Sequence, residues 1–533
     1  MQNHTVEFAD ANRVNLVFAG IFNVTVPLLD RHVANGHDFT VAQWRDRKLA
    51  VSELADNVNR TANLLISLGV KPGDRVLITV RDSAQFYYAF LGAVRLGAVA
   101  VPVNYFQRTK DYEYLLKDSG ARAVFMSSDA AAEVVPALDA IKDRPPVLIS
   151  TDADLKGWIH LGPAIDTQPA YCEPAPTSSE SDCFWLYSSG STGSPKGCVH
   201  KHADLIHVAN LYGEKIAGVG SGTIMLSPAK LFFAYGIGNS ICFPLWLGAT
   251  TVLLEERPNA ALCLDAITHH KPTHFFGVPT LYVGMIAALE NGHQADLSSL
   301  KFCVTGGEIL PSSMADQWRK LTGCELYEGI GSSEALHYYT SNSQQAFRKG
   351  TAGRLVPGYE GRIVDDEGQE LAADEVGQFA VAGPSLFKGY WNKPEKTAEV
   401  FRGKWFLTGD MCSRDRDGYF SFHGRGNDML KVGGIWVSPA ELESALITHP
   451  AVHEAAVIGS PDESGLIKPN AFVVLKNGVA ASSTLENELK AFMKARLAPY
   501  KFPRSITFVD DLPRTVTGKI QRFRLRATTP SQQ

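Results

Sequence analysis

Helix-spaced and strand-like runs take turns along residues 39–103 and again from 223 to 305, and few architectures accept such a chain. Residues 49–68 place apolar side chains three and four apart, as an amphipathic helix requires. A Lys-Pro-Gly-Asp turn at 71–74 leads into Arg-Val-Leu-Ile-Thr-Val at 75–80, a strand pattern. A second helical run, 83–96, feeds the apolar run at 98–103. Alternation of this kind implies parallel sheets with helices on their faces. The pattern returns at 223–226, 273–278 and 302–305, each run ending in a corner rich in Gly, Pro or Ser/Thr. In open α/β sheets ligands collect outside the carboxyl ends of strands, so a substrate is expected at these corners. Residues 128–180 are richer in Ala, Pro, Asp and Ser and read as a looser connection.

A chain of 533 residues is too long for one hydrophobic core and calls for two or more domains. With 45% hydrophobic and 20% charged residues it has the balance of a soluble globular protein. The net charge of −5 comes without a basic tail, which argues against nucleic acid as a partner. Cysteines at 172, 183, 198, 242, 263, 303, 324 and 412 form no C-x-x-C pair, so neither a disulfide scaffold nor a thiolate zinc site is expected. A reducing, cytoplasmic setting suits that pattern. Two apolar stretches imitate membrane signals. Residues 14–29 are interrupted by Asn15 and Asn23 and lack a small-residue cleavage site. Residues 231–254 carry no charge but contain Gly236, Gly238, Asn239, Pro244 and Gly248, and read as a buried helix followed by a buried strand.

The densest cluster of chemistry lies at 187–197, Tyr-Ser-Ser-Gly-Ser-Thr-Gly-Ser-Pro-Lys-Gly, behind the strand-like run Cys-Phe-Trp-Leu-Tyr. Its glycines let backbone N–H groups approach an anion, its hydroxyls add donors, and Lys196 adds a positive charge. Pro195 before the lysine rules out a Walker A loop, which needs Gly-Lys-Ser/Thr in succession. A second cluster, Glu-Gly-Ile-Gly-Ser-Ser-Glu at 328–334, holds a carboxylate beside hydroxyls, and also reads as an N-capped helix start with an acidic first turn. A third, Trp-Phe-Leu-Thr-Gly-Asp at 405–410, ends in a carboxylate whose two oxygens suit a vicinal diol. Asp410 precedes Met411 rather than a turn residue. Arg425 follows within a glycine-flanked segment, 424–434. A last cluster at 511–522 delivers Lys519 on a Gly-Lys turn.

In order and spacing these motifs resemble the AMP-forming adenylating enzymes: acyl-CoA synthetases, adenylation domains of peptide synthetases, and luciferases. The resemblance implies an α/β fold, with a large N-terminal domain of parallel-rich sheets with flanking helices (1–426) and a small mobile α+β C-terminal domain (427–533). It implies that ATP is held by Ser188, Ser189, Gly190, Ser191, Thr192, Gly193 and Lys196, by Gly307 and Glu308, by Glu328, Gly329 and Ile330, and by Asp410 and Arg425 at the ribose. Ser333 would touch the α-phosphate, Glu334 would hold Mg²⁺, and Lys519 would bridge carboxylate and phosphate. Gly433 and Gly434 would line a channel for coenzyme A. Where the family has Asp or Lys as the hinge this chain has Asn427 followed by Asp428, and either residue is open for that role.

The segments 229–236, 276–280, 306–308 and 330–337 resemble the benzoate-CoA ligase branch. By that similarity an aryl pocket is expected from Ala234, Tyr235, Phe276, Gly306, Gly331 and His337. Ligases of that branch tend to have Ala where this chain has Gly306, and the missing methyl is expected to open room for an amino or hydroxyl substituent. The expected activity is ATP-dependent ligation of benzoate, 2-aminobenzoate or a hydroxybenzoate to coenzyme A. The rival readings are an enzyme loading an aryl acid onto a carrier protein, a non-enzymatic nucleotide-binding protein and a luciferase-like oxygenase. No nucleic-acid or membrane partner is expected, and a homodimer is an open assembly state.

Overall fold

The strands of this chain are apolar on both faces, and the computed structural model covers both. It describes residues 4–188, 195–306, 312–426, 428–432, 435–461, 467–497, 501–514 and 520–528. An eight-stranded sheet runs in the order Gly389–Tyr390, Lys196–Lys201, Asp182–Ser188, Val99–Pro102, Arg75–Thr79, Ala123–Met126, Val147–Ser150, Ile159–His160. The six strands from Asp182–Ser188 onward pair in parallel, and the first two are antiparallel additions at the edge. A nine-stranded sheet has the central order Leu326–Gly331, Phe302–Gly306, His274–Phe276, Ile224–Leu226, Thr250–Val252, Thr40–Trp44, all parallel. Antiparallel strands close both of its ends.

One continuous core joins inward-facing residues of both sheets, among them Ile78, Phe184 and Cys198 of one and Met225, Phe276 and Val304 of the other. The helices Val51–Ser67 and Ala84–Arg95 lie in that core. The second of them is buried along nearly its whole length, which explains its lack of a polar face. The outer faces carry separate clusters, under helices Thr109–Ser119 and Ala131–Ala140 on one sheet and Ala260–His270 and Pro279–Glu290 on the other. The result is five layers, helix and sheet in alternation. The uncharged run 231–254 becomes helical from Ala234 to Leu247, with one wider turn at Gly238–Cys242, then the buried strand Thr250–Val252, as its sequence suggests. Among the described residues no helix is long and apolar enough to cross a membrane.

Residues 128–180 are not a loose connection. They contain the helix Ala131–Ala140 and the strands Val147–Ser150 and Ile159–His160 that extend the eight-stranded sheet. A helix interrupted by Pro136 and a four-residue strand buried on both faces show too little periodicity to be read from sequence.

An antiparallel sheet follows, ending in the hairpin Trp405–Arg414 and Phe420–Arg425. Beyond it, the strands Val452–Pro461, Ile467–Leu475 and Ser505–Phe508 form a three-stranded sheet flanked by helices Pro439–Ile447 and Ser483–Lys494. Ser438 caps the first of these helices by accepting the Glu441 N–H at 3.3 Å. This part has a core of its own around Leu442, Val457, Val473 and Leu489. All eight cysteines are buried free thiols.

Candidate active site

The expected phosphate-loop stretch is flanked by two antiparallel strands. They are Asp182–Ser188 and Lys196–Lys201, with Ser188 opposite Lys196. Ser189, Gly190, Ser191, Thr192 and Gly193 lie outside the described residues. Both ends of the loop are pinned to the helix Thr109–Ser119. The Tyr187 hydroxyl donates to Asp118 Oδ2 at 2.7 Å, and the Tyr114 hydroxyl donates to the Pro195 carbonyl at 2.7 Å. Tyr114 and Asp118 stand one helical turn apart, which puts both on the same face. Lys393 donates to Asp118 Oδ1 at 3.2 Å and the Trp391 indole N–H to the Asp118 carbonyl at 3.0 Å.

Lys196 sends its ammonium 4.1 Å above the ring of Tyr390, whose hydroxyl donates to Glu334 Oε1 at 2.9 Å. Tyr390 is thereby a spacer between a cation and a carboxylate, with burial first and Glu334 second raising its phenol. Tyr390 sits here because the short strand Gly389–Tyr390 pairs with Cys198 and Val199. Glu334 belongs to a single 3-10 turn, Ser333–Ala335, with no side-chain cap. The expected N-capped helix start is therefore absent: the chain turns at Leu336, with φ of +65°, into the strand Tyr338–Ser341. A buried leucine in left-handed conformation is strained backbone beside the site. Glu328, Gly329 and Ile330 lie in the preceding strand, Leu326–Gly331, beside Thr305 and Gly306.

Asp410 and Arg425, fifteen residues apart in sequence, are directly opposite each other in the hairpin. Arg425 Nε lies 3.0 Å from Asp410 Oδ1, and its Nη1 donates to the Thr408 carbonyl at 2.9 Å. The Tyr339 hydroxyl donates to Asp410 Oδ2 at 3.0 Å. Asp410 is buried, whereas the Arg425 side chain is half exposed, so the pair opens to solvent on the arginine side. The arginine is raised further by Asp410. A carboxylate and a guanidinium fixed this way can hold neighbouring hydroxyls.

The expected aryl-pocket residues come together at the carboxyl ends of the nine-stranded sheet. Tyr235 meets Phe276 edge-on at 6.2 Å and His337 at 5.4 Å between ring centres. Ala234 begins the helix that carries Tyr235. Gly331 lies against the His337 backbone so closely that a Cβ would stand 2.8 Å from its carbonyl carbon. His337 is held by Asn239: Asn239 Nδ2 donates to Ser227 at 3.0 Å, leaving its Oδ1 to accept from His337 Nε2 at 3.0 Å. Burial holds the His337 pKa down to about 3, so the imidazole is neutral.

Gly306 does not open room for a substituent. A Cβ there would overlap the Tyr338 hydroxyl and stand 2.5 Å from Tyr338 Cε1. The space left by the missing methyl is filled by a phenol of the chain itself, which packs against Tyr235 at 5.4 Å. Sequence reading missed Tyr338, Tyr339, Tyr390, Asp118 and Lys393. The aromatic residues immediately after His337 were a local signal; Tyr390 arrives through distant strand pairing, Asp118 from a helix and Lys393 from the turn after Tyr390. Gly307, Glu308, Asn427, Gly433, Gly434 and Lys519 lie outside the described residues.

Two covered parallel-rich sheets, with a hydroxyl- and glycine-rich sequence between two hairpin strands, an acid–arginine pair and a buried aromatic cluster at their strand ends, suit an enzyme that handles a nucleotide. The chain belongs to the AMP-binding enzyme family, whose pattern matches residues 29–391, and the AMP-binding enzyme C-terminal domain matches residues 441–519. It is 46% identical over 509 residues to a benzoate–CoA ligase of Thauera aromatica, spanning 95% of this chain and 96% of that one. The structure of a benzoate CoA ligase from Burkholderia xenovorans LB400 superposes with a TM-score of 0.87 at 40% identity, covering 95% of this chain and all of that one (100%). An anthranilate CoA ligase in complex with anthranoyl-AMP gives a TM-score of 0.88 at 38% identity, covering 96% and 98%.

Proposed function

We propose that the protein joins benzoate or a small ring-substituted benzoate to coenzyme A, using ATP and releasing AMP and pyrophosphate. The observation that carries this reading is the adjacency of two sites. Lys196, Tyr390 and Glu334 cluster beside the hairpin, and the rings of Tyr235, Phe276 and His337, which we assign to the acid, meet at neighbouring strand ends. The relatives, named as benzoate and anthranilate ligases, support the choice of acid.

In the first step a carboxylate oxygen of the acid bonds to the α-phosphorus of ATP. The bond from that phosphorus to the pyrophosphate oxygen breaks, and pyrophosphate leaves. Two anions must meet, so cations and donors around them set the rate. A close charge pair at an effective dielectric near 20 is worth about 4 kcal/mol, roughly a thousandfold. We assign Lys196, the loop hydroxyls, Ser333 and Lys519 to this work, and Asp410 and Arg425 to the ribose. Glu334 fits a hard cation such as Mg²⁺, since one carboxylate plus ATP phosphates is a usual set for that ion. Among the described residues no cluster of three or more acidic, His or Cys side chains could hold a metal alone, so the ion would come with ATP. When bound it would neutralise phosphate charge. In the second step the thiol sulfur of coenzyme A bonds to the acyl carbon, the bond to the phosphate oxygen breaks, AMP leaves and the thiol proton is released. Rotation of 427–533 about Asn427, bringing Gly433 and Gly434 to the thiol arm, completes the proposal. A cytoplasmic location and homodimeric assembly are further parts of it.

Pyrophosphate release tests this, measured with and without coenzyme A over benzoate, 2-aminobenzoate, hydroxybenzoates, cinnamate and acetate. Turnover of small benzoates with a steady rate raised by coenzyme A is expected. Release indifferent to coenzyme A would point to a carrier protein as acceptor, and no release with any aryl acid would sink the pocket assignment.

A further inference from the structure

The strand that leaves the phosphate loop, Lys196–Lys201, alternates its side chains between two environments. Gly197 faces Trp391 and Trp185, and Val199 belongs to the outer cluster of that sheet. Lys196, Cys198 and His200 share the other face. Lys196 lies over Tyr390, the Cys198 thiol is raised by burial and then by neighbouring Glu334, and His200 reaches the Ser333 carbonyl. One strand face thus addresses one turn.

His200 is fully buried and stacks on Phe184, with ring centres 5.0 Å apart and planes 14° from parallel. Its Nε2 stands 2.8 Å from the Ser333 carbonyl oxygen and its Nδ1 stands 2.9 Å from Asp204 Oδ2. The Ser333 carbonyl can only accept, so Nε2 donates to it, and Nδ1 shares a hydrogen bond with Asp204. Asp204, itself buried, also accepts the Lys201 N–H at 3.0 Å, which fixes the carboxylate. The other carbonyls of the turn are held from elsewhere. Glu334 accepts the Phe387 N–H at 2.8 Å, and Ala335 accepts the Ser385 hydroxyl at 2.7 Å. Among the described residues His200 ties the backbone of this turn to the strand that carries Lys196, beside the Cys198 thiol, which meets the Glu334 side chain.

We infer that His200, oriented by Asp204, is a positioning residue that sets the spacing between the phosphate-loop strand and the Ser333–Glu334 turn for adenylate formation. The inference rests on the proposed aryl-adenylating activity. It acts through Ser333 and Glu334, so its loss should slow the first chemical step more than it weakens acid binding: Tyr235 and Phe276 stand on other elements, while Gly331 and His337 flank the turn.

The test is benzoate-dependent exchange of pyrophosphate into ATP, with kcat, the KM for benzoate and Tm measured for each variant. His200→Phe keeps the stack on Phe184 and removes both ring nitrogens. Its kcat is expected to fall about tenfold or more, the loss of one aligned hydrogen bond at a reacting centre, with the benzoate KM within about twofold of wild type. His200→Gln can still donate from near the Nε2 position and is expected to recover most of kcat. Asp204→Asn, which spoils the orientation alone, should fall between them. Three results overturn the inference: a His200→Phe enzyme with wild-type kcat, equal losses in the Phe and Gln variants, or a benzoate KM rising in step with the loss. If His200→Phe does not fold, Asp204→Asn against His200→Gln decides, and an Asp204→Asn enzyme as fast as wild type overturns it. Wild-type protein inactive on every aryl acid would instead remove the functional reading on which the inference stands.

Discussion

At the scale of single residues, one absent methyl decides how the end of the proposed aryl site is built. Gly306 leaves space that Tyr338 occupies, so the two positions form a packed pair. Gly306→Ala should drive the phenol aside, press on the Gly329 carbonyl and raise the KM for benzoate about tenfold, within the usual cost of overpacking. Tyr338→Ala should be non-additive with it, the double variant losing less than the two singles together. Steady-state kinetics on the three variants checks both statements. Sequence alone led the other way, because a glycine announces missing volume but not which neighbour claims it. Local pattern was more informative where the chemistry demands a residue type. Asp410 and Arg425 were each expected at the ribose by resemblance, and the structure sets them facing each other across a hairpin, a pairing the sequence did not announce.

At the scale of elements, strands flanked by glycine-rich corners were readable from 49 to 103 and from 223 to 305, within a residue or two. What sequence did not convey was how separate elements brace one another. The helix Thr109–Ser119 lies about seventy residues before the loop it pins, and nothing local marks Asp118 as the anchor of Tyr187, Lys393 and the Trp391 indole. Asp118→Ala removes the carboxylate from this brace. Amide hydrogen exchange should then quicken along 184–188 and 195–199, and the KM for ATP should rise several-fold, about 1 kcal/mol for a lost charged hydrogen bond. Unchanged exchange in both strands would show that the hairpin supports its own tip.

At the scale of the whole molecule, burial of uncharged histidines sets how the fold meets acid. His32, His202 and His337 are buried, and burial lowers their pKa values from 6.5 to about 4, 3 and 3. A histidine lowered on folding stabilises the fold above the unfolded value and loses that contribution as pH drops through the window between the two. Stability is therefore expected to be full near pH 7.5 and to fall from about pH 6.5 toward 4. Each of the three loses about 1.4 kcal/mol by one pH unit below 6.5. Urea titrations at pH 7.5, 6.5 and 5.5 would read this as a falling midpoint at constant slope. The five layers carry one more consequence. Lys196 and His200 belong to one sheet, while Ser333 follows a strand of the other and Tyr338 begins one, so the proposed reacting centre straddles the seam between the two sheets. Recombining this chain with a relative is thus safest where a crossover leaves 182–201 and 326–341 from the same parent, for each half of the seam is cut to match the other.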